Sequence, residues 1–125
     1  MALAVDSGAS ETVIERAALP TVELTEGPAK KRGVKYQVAD GRELENLGEK
    51  SFRAITTEGF GRKLTAQVCD VSRNLLSVSK AVRNGNCVLF HPRGSFIQDL
   101  KTGERSWLKE EGGNYTLSLW VPCPN

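Results

Sequence analysis

The stretch AVDSGAS, residues 4–10, ends a short apolar run on an aspartate and continues at once with small residues. The apolar run that begins at Ala2 predicts a short strand that ends at Asp6. Aspartate and glycine are common in turns, because the aspartate side chain bonds nearby backbone and glycine tolerates unusual dihedral angles. Asp6 is therefore either a turn residue or an acid placed for chemistry, and the rest of the chain has to decide between the two.

Short runs rich in β-branched and aromatic residues make up most of the remaining chain. Glycine, proline, asparagine and aspartate separate these runs at close intervals, which is typical of an all-β barrel or sandwich. The stretch 25–33 (TEGPAKKRG) is predicted to be a loop, since glycine and proline interrupt it. Further strands are predicted at residues 12–14, 52–55, 64–71, 87–90, 96–100 and in a final pair that reaches 117–121.

A hairpin is predicted over residues 34–47. Its outgoing strand alternates apolar and polar residues, and its return strand carries two leucines. Asp40-Gly41 is a strong two-residue turn signal between them. The residues that carry this pattern are Val34, Tyr36, Val38, Leu44 and Leu47.

The segment SRNLLSVSKAVRNGN, residues 72–86, predicts one helix late in the chain. Apolar residues recur at helical spacing on one face of it, at Leu75, Val78, Ala81 and Val82. Ser72 or Asn74 can cap its start, because either offers a side-chain oxygen to the free N–H groups there, and Gly85 stands where a helix commonly ends.

Length and composition predict one soluble domain, residues 1–125. The chain is 39% apolar and 26% charged, as in ordinary globular proteins. A net charge of +2 gives no reason to expect nucleic acid or a membrane as partner. Three scattered cysteines predict reduced thiols and an intracellular, cytoplasmic location, and no cofactor or metal is expected with His91 as the single histidine. The cysteines are Cys69, Cys87 and Cys123.

Three segments together resemble the retropepsins, the aspartic proteases of retroviruses and retrotransposons. They are AVDSGAS (4–10), YQVADGREL (36–44) and SRNLLSVSKAVRNGNCVLF (72–90), in that order along the chain. The resemblance is strongest to the proteases of copia-type retrotransposon polyproteins and extends from residue 3 to about residue 96. The resemblance favours Asp6 as a catalytic residue over Asp6 as a turn residue.

The resemblance implies a small closed barrel of the retropepsin type with one short helix late in the chain. It implies an aspartic endopeptidase that acts as a homodimer on a polyprotein or other extended peptide, within a retrotransposon particle if the chain is active. Each subunit would supply one aspartate to a shared pair. The implied catalytic residues are Asp6, Ser7 and Gly8, and the implied substrate-binding residues of loop and flap are Ala9, Val38, Ala39, Asp40 and Gly41.

A second hypothesis from the same residues is a catalytically silent module, domesticated or truncated, that dimerises or grips extended peptides. Asp40-Gly41 is equally well explained as an ordinary hairpin turn. Because only five residues precede Asp6, we expect the interface strands of a dimer to come from residues 114–121, whose apolar and aromatic side chains offer contact area. Deleting the chain from Tyr115 onward is therefore expected to remove the dimer or the fold.

Overall fold

The computed structural model describes residues 1–37 and 41–122. Within these residues the chain is built mainly from short strands, with two short helices. The strands are β1 (Ala2–Asp6), β2 (Val13–Glu15), β3 (Lys35–Gln37), β4 (Glu43–Glu45), β5 (Gly48–Thr56), β6 (Gly61–Cys69), β7 (Leu75–Ser77), β8 (Asn86–Leu89), β9 (Ser95–Asp99), β10 (Arg105–Glu111) and β11 (Asn114–Trp120). The helices are α1 (Pro28–Lys31) and α2 (Val78–Arg83).

Six strands close into a barrel in the order β1-β7-β2-β6-β5-β11, and β11 returns to pair with β1. The β1–β7 and β2–β6 pairs are parallel, whereas β5–β6 and β1–β11 are antiparallel. Beyond β11 the sheet continues through β10 and β9 to β8, its last strand. The predicted small, closed all-β barrel is confirmed.

The barrel core follows from alternation along the strands. In β5, Phe52 and Ala54 are buried while Ser51 and Arg53 between them are exposed, because successive side chains of a strand point to opposite faces. Each fully buried leucine or isoleucine contributes about 1.5–3 kcal/mol to folding. The other core residues are Leu3, Ile14, Ala66, Val68, Leu76, Leu108, Leu117 and Leu119.

The late helix is present but begins three residues after the predicted apolar face. Leu75 does not belong to it, because residues 75–77 are extended and pair in parallel with β1. Ser77 caps α2 by accepting the backbone N–H of Lys80 at 3.1 Å, so neither Ser72 nor Asn74 is the cap. Gly85 follows the helix with a φ of +87°, as predicted for the residue that ends it.

The stretch predicted as a loop over residues 25–33 contains the one-turn helix α1. Pro28 stands at its start, where a missing N–H costs nothing. Lys30 and Glu26 form an ion pair of 3.4 Å across one helical turn. The prediction of a continuous loop here was wrong by this single turn.

Strand β11 is a barrel strand within its own chain. It pairs with β1 on one side and with β10 and then β5 on the other, so both backbone edges are used over most of its length. Leu117 and Leu119 are 7% and 3% exposed. The prediction that Leu117 and Leu119 offer contact area to a second copy is therefore wrong, and deletion from Tyr115 would remove the closing strand of the barrel.

The predicted hairpin is present as β3 and β4, which form a two-stranded sheet of their own. Tyr36 pairs with Leu44 across it. The two strands have no ladder to the nine-stranded sheet among the described residues. The hairpin therefore depends on side chains at its base for its position against the barrel.

Candidate functional site

Asp6 is the last residue of β1 and lies in register with Ser77 at the end of β7. Its side chain is partly exposed. The Oδ1 atom accepts the backbone N–H of Gly8 at 2.8 Å, which folds residues 6–8 into a tight turn around the carboxylate. The carboxylate is thereby held at the end of a barrel strand through one of its two oxygens.

Gly8 leaves room for the Asp6 carboxylate at this turn. A Cβ atom at this position would lie 3.3 Å from Asp6 Oδ1, closer than most side chains come to a neighbouring atom. Ser7 and Gly8 are both exposed. The turn therefore presents the carboxylate and the Ser7 hydroxyl on an open surface, with no side chain crowding the acid at Gly8.

Buried hydroxyl groups hold the rest of the loop against α2. Ser77 is 0% exposed, and its Oγ donates to the Ala9 carbonyl at 2.7 Å. Its backbone N–H donates to Thr12 Oγ1 at 3.1 Å. Residues 6–12 are thus fixed at both ends, which gives Asp6 a defined orientation.

Thr12 and Ser77 were not among the residues predicted for the site. The sequence did contain a signal for Ser77, because it directly precedes the helix and serine is a preferred helix cap. Thr12 gave no comparable signal, because a β-branched residue at a strand start is ordinary. Their role depends on contacts 65 residues apart in the chain.

The predicted substrate-binding residues are only partly described. Ala9 lies in the loop and is held through its carbonyl by Ser77. Gly41 is exposed, with a φ of +87° that favours glycine. Val38, Ala39 and Asp40 fall outside the described residues, so the predicted tip of the flap cannot be placed against Asp6.

A cavity of about 660 Å³ opens beside the loop, and Asp6 does not line it. Its walls include Thr12 and Ser77 of the loop anchor, the leucines Leu76 and Leu117, and Lys80 of α2. Lys80 pairs with Glu11 at 3.3 Å near this position. The Asp6 carboxylate therefore faces a surface of the chain and is not enclosed in this cavity.

Two acids of high pKa, the half-buried Tyr36 and the buried Cys69, lie near the base of the hairpin. Burial raises the pKa of Tyr36 to about 12, and the negative charge of Glu11 adds to the effect. Burial raises the pKa of the Cys69 thiol to about 11. Both groups keep their protons in the folded protein at pH values where the unfolded chain releases them.

The free energy of unfolding is therefore expected to fall as the pH rises above about 9. The ordinary pKa values are 9.0 for Cys69 and 10.0 for Tyr36, so the unfolded state binds fewer protons than the folded state between these values and about 11 to 12. Urea unfolding at a series of alkaline pH values measures the slope. Cys69→Ala and Tyr36→Phe should each flatten it, and an unchanged slope in both variants would contradict this assignment.

No group of three or more histidine, cysteine, aspartate or glutamate side chains is arranged to hold a metal ion in residues 1–37 and 41–122. Across the same part of the chain, no helix is both long and apolar enough to cross a membrane.

Comparison with protein-family models, with curated proteins and with solved structures gave no match to this chain.

Proposed function

We propose that this chain is one subunit of a homodimeric aspartic endopeptidase that resembles the retropepsins and cleaves an extended peptide, such as a segment of a polyprotein. The observation that carries the proposal is the geometry of Asp6. A carboxylate at the end of a barrel strand, in an Asp-Ser-Gly turn tied to a helix start by buried hydroxyls, is held ready for acid–base chemistry.

The chemistry needs two such carboxylates. One Asp6 accepts a proton from a water molecule, whose oxygen attacks the carbonyl carbon of the scissile peptide bond. The other Asp6 donates a proton to the carbonyl oxygen, which avoids a free oxyanion. Two carboxylates in contact share one proton, because the charge of one disfavours ionisation of the other. The chain carries a single Asp-Ser-Gly, so the second acid comes from a second copy.

Strand β8 is the edge that suits such a pairing. It is the terminal strand of the nine-stranded sheet, and no strand pairs with its outer side among the described residues. Leu89 ends it with 44% of its surface exposed, and Phe90 follows with 42% exposed. Exposed strand edges pair readily with another chain, and a two-fold axis through β8 would bury the same residues of both copies.

Phe90, the residue after β8, contacts the strand that pairs with the Asp6 strand. The Phe90 ring packs against the Tyr115 ring at an angle of 56°, with 4.8 Å between centroids. Tyr115 directly precedes Thr116, which pairs with Ala4, two residues before Asp6. The proposal requires that pairing through β8 also bring the two Asp6 turns to the axis.

One observation favours a second candidate, a module that binds extended peptides without cutting them. The bond from Gly8 N–H to Asp6 Oδ1 is also what an ordinary turn aspartate makes. In that case the β8 edge and the hairpin would bind a partner strand, and Asp6 would only shape the loop. The two candidates differ in whether a peptide bond is broken.

A cleavage assay separates them. The protein is incubated with a polyprotein fragment at several pH values, and products are identified by mass spectrometry. We expect the protein to cleave the fragment. We also expect inhibition by a peptide that carries a hydroxyl in place of the scissile carbonyl, because this group occupies the position of the attacked carbon and its water. Inhibition by chelators or thiol reagents, with none by the hydroxyl mimic, would contradict the aspartic mechanism.

A further inference from the structure

Two positively charged side chains lie directly opposite each other on the outer face of the barrel. Arg53 of β5 is in register with Lys63 of β6, and both residues are exposed. Like charges that face each other across an antiparallel pair destabilise the sheet. Neither side chain forms an ion pair with an acid in residues 1–37 and 41–122, so their repulsion is not offset there.

An exposed tryptophan lies next to this pair. Trp120 of β11 is in register with Ile55 of β5, and 64% of its surface is exposed. Arg53 precedes Ile55 by two residues, so it is on the same face of β5 and is the diagonal neighbour of Trp120. Diagonal neighbours are about 7–8 Å apart, within reach of aromatic and long side chains. We call Arg53, Lys63 and Trp120 the basic–aromatic cluster.

The cluster borders a hollow of about 580 Å³ that Arg53 and Lys63 line. Ser51 lines it too, and its hydroxyl lies 2.9 Å from the Thr65 hydroxyl on the neighbouring strand. Glu23 is the one acid among the described residues that line the hollow, and it pairs with neither cation. The hollow therefore combines an excess of positive charge with hydroxyl groups. Its apolar wall is formed by Val22, Val121 and Pro122.

These side chains suit a ligand that carries phosphate groups beside a flat ring. Arginine and lysine are frequent partners of phosphate oxygens, and serine and threonine hydroxyls add further hydrogen bonds. An exposed indole offers a face on which a nucleic-acid base can stack. The bases of a duplex are already stacked on each other, whereas a single strand presents them to an aromatic side chain. The cluster therefore favours a single strand over a duplex.

We propose that the basic–aromatic cluster binds single-stranded nucleic acid, with backbone phosphates at Arg53 and Lys63 and a base on Trp120. The bound phosphates offset the repulsion between the two cations, which the free protein carries at a cost. This binding does not depend on peptide cleavage.

The small net charge of the whole chain does not oppose this binding, because the interaction is local. Charges in about 0.1 M salt are screened over about 10 Å. Glu49 is the only acid in β5 and β6, and it lies four residues from Arg53, which is about 13 Å along a strand. The expectation that nucleic acid is not a partner averages the charge over all residues and does not see this face.

Fluorescence anisotropy of the full chain with a labelled oligothymidylate measures the binding between about 50 and 200 mM salt. Arg53→Gln and Lys63→Gln should each raise the Kd several-fold and lower the slope of log Kd against log salt by about 0.7. Arg83→Gln removes the same charge from an exposed position on α2 and is the matched control, with binding equal to that of the parent. Glu23→Gln should lower the Kd, because it removes the one acid of the hollow.

The stacking contact has its own readouts. Trp120→Ala should raise the Kd about tenfold, and Trp120→Phe should keep most of the affinity. In Trp107→Phe, Trp120 is the single tryptophan of the chain, and its fluorescence should be quenched when the oligonucleotide binds. A duplex of the same length should bind less tightly than the single strand. Because the substituted side chains of the cluster are exposed, the barrel should stay folded in every variant.

Three results would overturn the inference. The first is a parent protein that does not bind the oligonucleotide at the lowest salt concentration, or binds it no better than Arg53→Gln and Lys63→Gln do. The second is equal affinity for duplex and single strand together with no effect of Trp120→Ala, which would leave only attraction to phosphate. The third is binding to vesicles of phosphatidylcholine and phosphatidylserine without binding to the oligonucleotide, which would assign the cluster to a membrane surface.

Discussion

Replacing Asp6 with asparagine is expected to abolish peptide cleavage and to leave the barrel folded. The amide oxygen still accepts the Gly8 N–H, so the turn keeps its geometry. An amide neither takes a proton from water nor gives one to the peptide carbonyl. The expected loss in kcat is about 10⁴-fold or more, since general acid and general base functions are lost together.

The matched control is Asp99→Asn. Asp99 Oδ1 accepts the Lys101 N–H at 2.8 Å, so it forms the same kind of turn at the end of β9. This variant removes the same charge from the same local structure and should retain full activity. Cleavage by Asp6→Asn near the parent rate would place the catalytic acid elsewhere, and loss of activity in both variants would indicate a general effect of charge or folding.

Leu89→Lys is expected to weaken the dimer and to lower specific activity in dilute solution. Two-fold pairing through β8 brings each Leu89 close to the partner strand, so the substitution removes apolar contact and adds like charges near the axis. We expect the substitution to weaken the dimer by more than about 1 kcal/mol. Since about 1.4 kcal/mol is a factor of ten, the dissociation constant should rise by roughly tenfold. Activity should recover as protein concentration rises.

The control for this prediction is Leu24→Lys. Leu24 is 48% exposed, close to the 44% of Leu89, and it lies between β2 and α1, next to the Thr25 bridge to β5. Sedimentation velocity across a concentration series measures the dissociation constant for each variant. A parent protein that sediments as a monomer at every concentration, with specific activity unchanged by dilution, would refute the dimer.

The barrel and the Asp6 turn could be predicted because their signals are local. Alternation along β5, the apolar run of β1 and the turn residues after Asp6 all fall within a few positions of one another. The start of α2 could not be predicted in the same way. Leu75 matches helical spacing, but its backbone pairs with Ala4 of β1, which is 71 residues earlier in the chain. Long-range strand pairing overrode the local pattern.

The polar interior was missed for a related reason. Asn46 and Gln67 are amides, which sequence reasoning assigns to the surface. Their hydrogen bond to each other offsets the free-energy cost of burying them, and it exists only in the folded chain. Lys50 is a similar case, since it is 6% exposed and its ammonium donates to the carbonyls of Ala18 and Leu19, both at 2.9 Å. No periodicity identifies such residues.

The role of Leu117 and Leu119 was also mistaken, since they are buried in the barrel. Apolar and aromatic residues near the end of a chain suit a dimer interface and a barrel strand equally well. The pairing of β11 with β1, β5 and β10 decides for the barrel. Among the described residues, β8 is the outermost strand of the nine-stranded sheet, and its sequence NCVL looks like any short strand.

The central claim is that two copies of Asp6 form one active site, and mixing the parent with Asp6→Asn measures this most directly. The two proteins are combined in varying ratio at a fixed total concentration that keeps all chains dimeric, and the cleavage rate is recorded. A shared site requires both partners to be parent chains, so the rate should follow the square of the parent fraction and fall to about a quarter in an equal mixture. A rate that falls in proportion to the parent fraction, to about half in the equal mixture, would show that each chain works alone and would contradict the account.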